Sequence, residues 1–354
     1  MSVRRSSIVL TTIAAVLLAL AAVLRFVVAP DATELPGDAD QTVHYAGRAT
    51  VLDGKALQSG DTAHALRSGI PLTVDRRVKV TSTHGGTAVL EDTMTAHVGK
   101  QSLPSSQTYA IDRKTRKGTS PPASVSVEPS RGALSAAFPP DAARNDSYTY
   151  YDPTTRSIVP VRYTGSAQRE GRTVNVYRIT VSAPVKDTAV LAPLPSGLPR
   201  KLVTALVPGL GAAARARLTP AALSALPDPV PLVYSGRSNL VAYIDRQTGI
   251  AIDQTVDRQI VATVAVGGRA TPLLPVSALR FRITPGSAAE LGDKAASAGL
   301  ALTLLTVAAP LALTAVAVAL LLIAWLLQRR RQRDPSRPVD PSPATATPGG
   351  GIAA

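Results

Sequence analysis

Two stretches of this chain are almost free of charge, and they constrain everything between them. From Ile8 to Ala29 the single charged side chain is Arg25. At about 1.5 Å per helical residue these 22 residues reach about 33 Å, enough to cross a hydrocarbon core of about 30 Å. From Gly299 to Leu327 there is no charge across 29 residues. That run is longer than a crossing needs, so tilt or a bend near Pro310 is expected. The sequence therefore predicts membrane helices at 8–29 and 298–327, with a short terminus at 1–7 and a tail at 328–354. A cleaved signal peptide is the rival for the first run, given Arg4, Arg5 and the small residues near its end. The length of the apolar run and Pro30, placed where a cut would fall, favour a retained anchor.

Flanking charge gives the expected orientation. Arg4 and Arg5 precede the first run, and Arg329, Arg330, Arg331 and Arg333 follow the second, whereas Asp31, Glu34, Asp38 and Asp40 lie just beyond the first. The bias of Lys and Arg toward the cytoplasmic side puts both termini in the cytoplasm and residues 30–297 outside it. Arg25, near the outer end of its helix, is expected to snorkel to the interface. The tail from Asp334, rich in Pro, Ala, Thr and Gly, is expected to be disordered.

The outer segment holds 30 Lys plus Arg and 22 Asp plus Glu, a net of +8. That balance suits membrane lipids or acidic glycans as partners, and a domain facing away from the cytoplasm is not expected to meet nucleic acid. With no cysteine in the chain, its stability comes from packing and not from disulfides. About 265 residues suffice for one sizeable core.

That segment reads as strands. Val78 and Val80 alternate with Arg77, Lys79 and Thr81; Val159, Val161 and Tyr163 alternate with Pro160, Arg162 and Thr164; Leu279, Phe281 and Ile283 alternate with Arg280 and Arg282. A period of two is the signature of a sheet with one wet face. Gly85-Gly86, Pro121-Pro122, Pro139-Pro140 and Gly267-Gly268 mark turns. A helical insert is expected at 199–226, broken by Pro208, Gly209 and Gly211. The expected fold is mainly antiparallel β, barrel-like with minor helices, flanked by the two membrane helices.

A short pattern recurs at Tyr109–Thr115, Tyr151–Arg156 and Tyr243–Gly249: an aromatic, then Asp112, Asp152 or Asp245, then a polar stretch containing Thr. Each Asp is expected to accept turn N–H groups at a strand end. The competing role, cation ligation by the three carboxylates, would require them to converge. No nucleophile elbow, phosphate loop or zinc-protease helix is present, so no catalytic or cofactor-binding residue is assigned and an enzyme is not expected. His44, His64, His84 and His97 lack zinc-site spacing; His84 and His97 meet only if a hairpin brings them together. Arg113, Lys114, Arg116 and Lys117 form the densest charge cluster, expected as a solvated hairpin tip with an acidic lipid head or polymer as the alternative ligand.

The stretch Tyr150–Ile179, with Phe138-Pro-Pro140 before it and Ala242–Ile260 after it, resembles the actinobacterial PorA-like family. The resemblance covers nearly the whole chain and implies a helix at each end with an extracytoplasmic domain between; the family name implies a channel. Tyr150-Tyr151, Arg156-Ser157, Val176–Ile179 and Tyr243–Gly249 also resemble, more distantly, the class B scavenger receptors, whose ectodomain implies a barrel pierced by an apolar lipid tunnel. The expected function is binding or transfer of lipid or fatty acyl ligands through such a tunnel. The alternatives are a channel subunit, with Gly299, Ala308, Ala309 and Ala317 as helix contacts, and a non-catalytic scaffold for envelope-assembly proteins.

Overall fold

The computed structural model describes residues 2–332 apart from 62, 63 and 124, and the side chains of 9–329 apart from these and Gln58. It divides into two compact units, Thr33–Leu302 and a helical unit made of Met1–Ala32 with Thr303–Ala354. The expected disorder of the tail from Asp334 lies outside the described residues.

The helical unit starts with α1 (Ser2–Val23), a five-residue π segment (Leu24–Val28) and α2 (Ala29–Ala32). The second arm has a π segment at Leu304–Ala308, then α9 (Ala309–Gln332). The two π segments lie side by side and α1 runs along α9, so the arms are antiparallel. Helical runs at Val9–Ala32 and within Pro285–Arg329 are long and apolar enough to cross a membrane. The seam is made of small residues. Ala14 and Ala21 on one arm, and Pro310, Ala317 and Ala324 on the other, are buried at intervals of seven. That spacing keeps one stripe facing the partner helix, and alanine lets the backbones approach. The surface around it is apolar, with Val16, Phe26, Leu311 and Leu322 exposed.

The other unit is built on a sheet of ten antiparallel strands. Outside it stand α3 (Gly54–Gln58), α4 (Thr188–Leu191) and a two-stranded pair, β8 (Gly197–Leu198) and β9 (Val230–Pro231). Three meanders make up the sheet. From edge to edge they come as the first, the third and the second, with the first strand of the first paired to the last strand of the third. The first is β1 (Asp40–Leu52), β2 (Leu66–His84), β3 (Thr87–Val98) and β4 (Gln101–Asp112). The second is β5 (Thr149–Asp152), β6 (Ser157–Arg169) and β7 (Arg172–Pro184), and the third is β10 (Val233–Asp245), β11 (Ala251–Val266) and β12 (Arg269–Ile283). The sheet curls into a half-barrel around Tyr45, Leu72, Val74, Tyr177, Ile179, Leu240 and Phe281. At one level the gap between its edges is bridged: Ile111 of β4 pairs with Gly118, Gly118 exchanges backbone bonds with Gly132 and Ala133, and Leu134 pairs with Tyr150 of β5. Gly47 permits the tight approach of β1 to β12, since a Cβ there would lie 1.9 Å from the Arg280 carbonyl oxygen.

The expected turns at Gly85-Gly86 and Gly267-Gly268 join β2 to β3 and β11 to β12. The helical insert is also present, as α5 (Arg200–Leu206), a 3-10 turn at Val207–Gly209, α6 (Ala212–Arg217) and α7 (Pro220–Ser224). Val203, Leu206, Leu210, Leu218 and Leu223 give it a small core shared with Val264, Leu273 and Leu274 of the sheet. Helix α8 (Pro285–Thr303) buries Ala288, Leu291, Gly292, Ala295 and Gly299 on one face. Gly299, expected as a contact between membrane helices, lies against Gln247 and Arg172 of this unit instead: a Cβ would stand 2.6 Å from the Gln247 amide oxygen.

Candidate functional site

The recurring Asp pattern forms the same local structure three times. Asp112 accepts from the N–H groups of Lys114 and Thr115 and from the Thr115 hydroxyl. Asp152 accepts from the Thr155 N–H and hydroxyl, and Asp245 from the N–H groups of Gln247 and Thr248 and the Thr248 hydroxyl. In each copy the residue after the Thr takes a left-handed conformation: Arg116 at φ 59°, Arg156 at φ 48° and Gly249 at φ 76°. These are hairpin turns closed by a side-chain carboxylate. Each carboxylate closes its own turn, Asp245 also accepts from Arg172 and Asp152 lies 3.8 Å from Arg258, and among the described residues no group of three His, Asp or Glu is arranged to hold a metal.

The other candidates also resolve. His84 pairs with Thr87 and His97 with Thr73, which puts the two imidazoles at opposite ends of β3, about 33 Å apart along the strand. His97 instead shares Asp75 with His44, at 3.6 and 2.6 Å, on the exposed face of β1–β3. The basic cluster is only in part a solvated tip: Lys114 and Lys117 are exposed, whereas Arg113 is half-buried and Arg116 buried. Arg113 lies 2.9 Å from Glu34 and donates to the Leu35 carbonyl, Lys114 lies 3.3 Å from Glu34, and Arg116 donates to the Thr33 carbonyl. It grips the segment that follows the first helical arm. Desolvation brings the pKa of Arg116 down to about 10.

The half-barrel interior bears on the expected lipid tunnel. Alternation along β2 puts Leu72, Val74, Arg76, Val78 and Val80 on the core face, and along β3 it puts Leu90, Asp92, Met94 and Ala96 there. Arg76 clamps Asp92 through bonds of 2.8 and 2.6 Å. Burial opposes the charge on Arg76, yet the Asp92 carboxylate holds its pKa well above the ordinary value. Around this pair stand Tyr45, bonded to Gln254, together with Tyr109 and Tyr150; burial raises the pKa of all three phenols. Arg258, on the core face of β11, lies 3.8 Å from Asp152, and its Nε is buried without a hydrogen-bond partner. A bore meant for an acyl chain would need apolar walls where these charges lie. Two surface clefts are prominent instead. One of about 580 Å³ runs past Arg48, Arg169, Asp253 and Arg282, and one of about 420 Å³ past Asp141, Arg172 and Gln247. The lipid tunnel is therefore unsupported.

The polar feature that the sequence reading missed lies in the helical unit. Pro310 has no N–H to give the carbonyl four residues back, which is that of Thr306. Arg25 fills that place: its Nη1 donates to the Thr306 oxygen at 3.0 Å. Both residues lie within the π segments, whose wide turns recur at functional sites in helices. Rather than only snorkelling, Arg25 ties one arm to the other. At the far end of α9 the Arg329 guanidinium stands 5.1 Å from the Trp325 ring centroid, a pairing suited to a membrane interface. The Arg330 and Arg331 side chains, and Arg333, all assigned to the topology signal, lie outside the described residues.

No curated protein matches the chain. Among solved structures, an acyl-CoA thioesterase II (TesB2) from Mycobacterium marinum is 13% identical, with 71% of this chain and 82% of that one covered and a TM-score of 0.13. An inactive D1169N mutant of the CurK dehydratase is 11% identical, covering 69% and 77%, with a TM-score of 0.11. Likenesses at that level carry no argument about fold or function, and the comparisons do not support the class B scavenger receptor resemblance. The family model described as Porin PorA matches residues 6–326, from the first helical arm through the sheet to the second. The chain belongs to the Porin PorA family.

Proposed function

We propose that the protein is a channel-forming membrane subunit whose conducting path is built by the helical arms of several copies. The observation that carries this reading is Arg25, a guanidinium kept inside a 24-residue apolar span and bonded to a carbonyl of the other arm. A plain anchor would leave such a residue free to snorkel to the head groups, whereas here the second arm holds it in place; a charge at the bilayer centre costs about 2.5–3.5 kcal/mol. Membership of a porin family supports the same reading. The strands are not the conducting wall in this proposal. Outward positions of β2 carry Thr73, Asp75, Arg77 and Lys79, where a lipid-facing band would be apolar.

In this reading both termini are cytoplasmic and the Thr33–Leu302 unit stands outside, following the flanking arginines. Its ion pairs and carboxylate-closed turns make a rigid non-catalytic body. The test is reconstitution of the full-length chain into planar bilayers. Discrete conductance steps are expected. A monodisperse, correctly folded preparation that passes no current would remove the channel reading. Protease added to intact cells should cut within 33–302 and spare tags at both termini.

A further inference from the structure

The two helical arms carry a repeat. Leu24-Arg-Phe-Val-Val-Ala-Pro30 and Leu304-Leu-Thr-Val-Ala-Ala-Pro310 share Leu, Val, Ala and Pro at the same four offsets. Both fold as five-residue π segments closed by the same bond, from the Ala29 N–H to the Leu24 carbonyl and from the Ala309 N–H to the Leu304 carbonyl. A proline stands two residues after the end of each, Pro30 and Pro310. The copies differ in polarity at two offsets, where one has Arg25 and the other Thr306, and the Arg25 side chain meets the Thr306 backbone.

The charge held there has no carboxylate bonded to it. No Asp or Glu occurs in 9–30 or in 303–327, the nearest along the arm being Asp31, and the bond found for the Arg25 side chain goes to a carbonyl. That carbonyl is neutral, and the Arg25 side chain lies on the exposed surface of the helix pair. A cation that is positioned, unpaired and facing outward is not solvated by acyl chains; it needs the interface, reached by snorkelling, or a water-lined path between copies. Symmetric assembly of several copies would repeat it around the axis.

We infer that Arg25 is the selectivity residue of the pore, a ring of guanidinium groups that binds small inorganic anions such as chloride and makes the channel anion-preferring. This rests on the channel reading above. Rings of Arg or Lys are how anion pores discriminate, and a single charge about 5 Å from a passing ion in water shifts its local concentration roughly fourfold. The neutral partner matters, since a carboxylate in place of the Thr306 carbonyl would cancel the field.

The experiment measures reversal potential under a KCl gradient for the full-length protein in planar bilayers. The unaltered channel and Arg25→Lys should reverse on the chloride side, Arg25→Gln should move toward zero, and Arg25→Glu should cross to the potassium side. Because the chain has no cysteine, Arg25→Cys introduces a unique thiol. A cationic methanethiosulfonate reagent added from water should restore anion preference, and an anionic one should reverse it. Channels that conduct but share one reversal potential across all variants overturn the inference while leaving the channel reading intact. A conducting Arg25→Cys channel that reacts with neither reagent overturns it too, because the residue would not face water. Absence of current from the unaltered protein sinks the channel reading and this inference together.

Discussion

Arg76 in the sheet and Arg25 in the helix pair are held in opposite ways. In the sheet, Arg76 clamps Asp92, and Arg172 reaches Asp245 at 3.0 and 3.2 Å from the other side of the β7–β10 pair. In the helix pair, Arg25 has a backbone carbonyl and no carboxylate. A buried charge with a matched partner fixes geometry and leaves no net field, whereas one with a neutral partner is positioned but keeps its field. Arg76 and Arg172 hold shape. Arg25 is positioned by a neutral group and keeps its charge unmatched.

The largest effect that tests this contrast is expected at Asp92. Asp92→Ala leaves Arg76 partly buried and unpaired on the core face, which should cost about 2–3 kcal/mol, below the roughly 3–5 kcal/mol of a fully buried pair. Arg25→Gln removes one hydrogen bond to a carbonyl and should cost only about 1 kcal/mol. Denaturant titration of the full-length protein in detergent, with tyrosine fluorescence reporting the sheet unit and Trp325 fluorescence the helix pair, measures both. Equal losses would erase the distinction between a structural and an exposed arginine.

Gly249 comes next, because it tests how firmly the sheet unit is determined. Its Cβ would lie 2.5 Å from the Pro139 carbonyl oxygen and 2.6 Å from that of Phe138, at a φ of 76°. Left-handed strain and overpacking together put Gly249→Ala at roughly 2–4 kcal/mol. At Arg156, which holds the same place in the second turn at φ 48°, Arg156→Gly should gain up to about 1 kcal/mol. Opposite signs in the same titration are the expected result.

In the helix pair the comparable weak point is the alanine seam. Ala317 is fully buried between the arms, so Ala317→Leu should cost about 1–3 kcal/mol by overpacking. Spin labels on the two arms should report a wider separation, with the denaturation midpoint of the sheet unit unchanged. A shift of that midpoint would mean that the units are not independent.

How much of this was legible depended on distance along the chain. The Asp turns could be read because donor and acceptor lie within three residues, as with Asp112 and Thr115. The tie from Asp245 to Arg172 spans 73 residues and exists only once β7 pairs with β10. Likewise Glu34, far from Arg113 in sequence, turned part of an apparent solvated tip into a clamp. Arg76 was within reach: the alternation that sends Val78 and Val80 inward sends Arg76 inward too, and the Gly85-Gly86 turn brings β3 back beside it. The twin π segments escaped for another reason. Hydropathy registers both runs as uniformly apolar, and the shared Leu, Val, Ala and Pro offsets emerge only when the arms are aligned on their prolines.

The smallest effect expected is a pH dependence confined to one unit. Burial opposes the charge on the Asp112 carboxylate, but the Thr115 N–H and hydroxyl and the Lys114 N–H outweigh it and hold its pKa below the ordinary carboxylate value. A carboxylate with a depressed folded-state pKa contributes stability that is present above its unfolded value of about 3.9 and is lost as pH falls through the folded value. Asp112→Asn should therefore destabilise the sheet unit near neutral pH, and its difference from the unaltered protein should shrink below about pH 4. Among the described side chains the helix pair has one carboxylate, Asp31 at the end of its first arm, and none in 9–30 or 303–327. The spin-label distance between its arms should stay constant over the same range, and a distance that tracked the Asp112 transition would show that the two units share one acid-sensitive equilibrium.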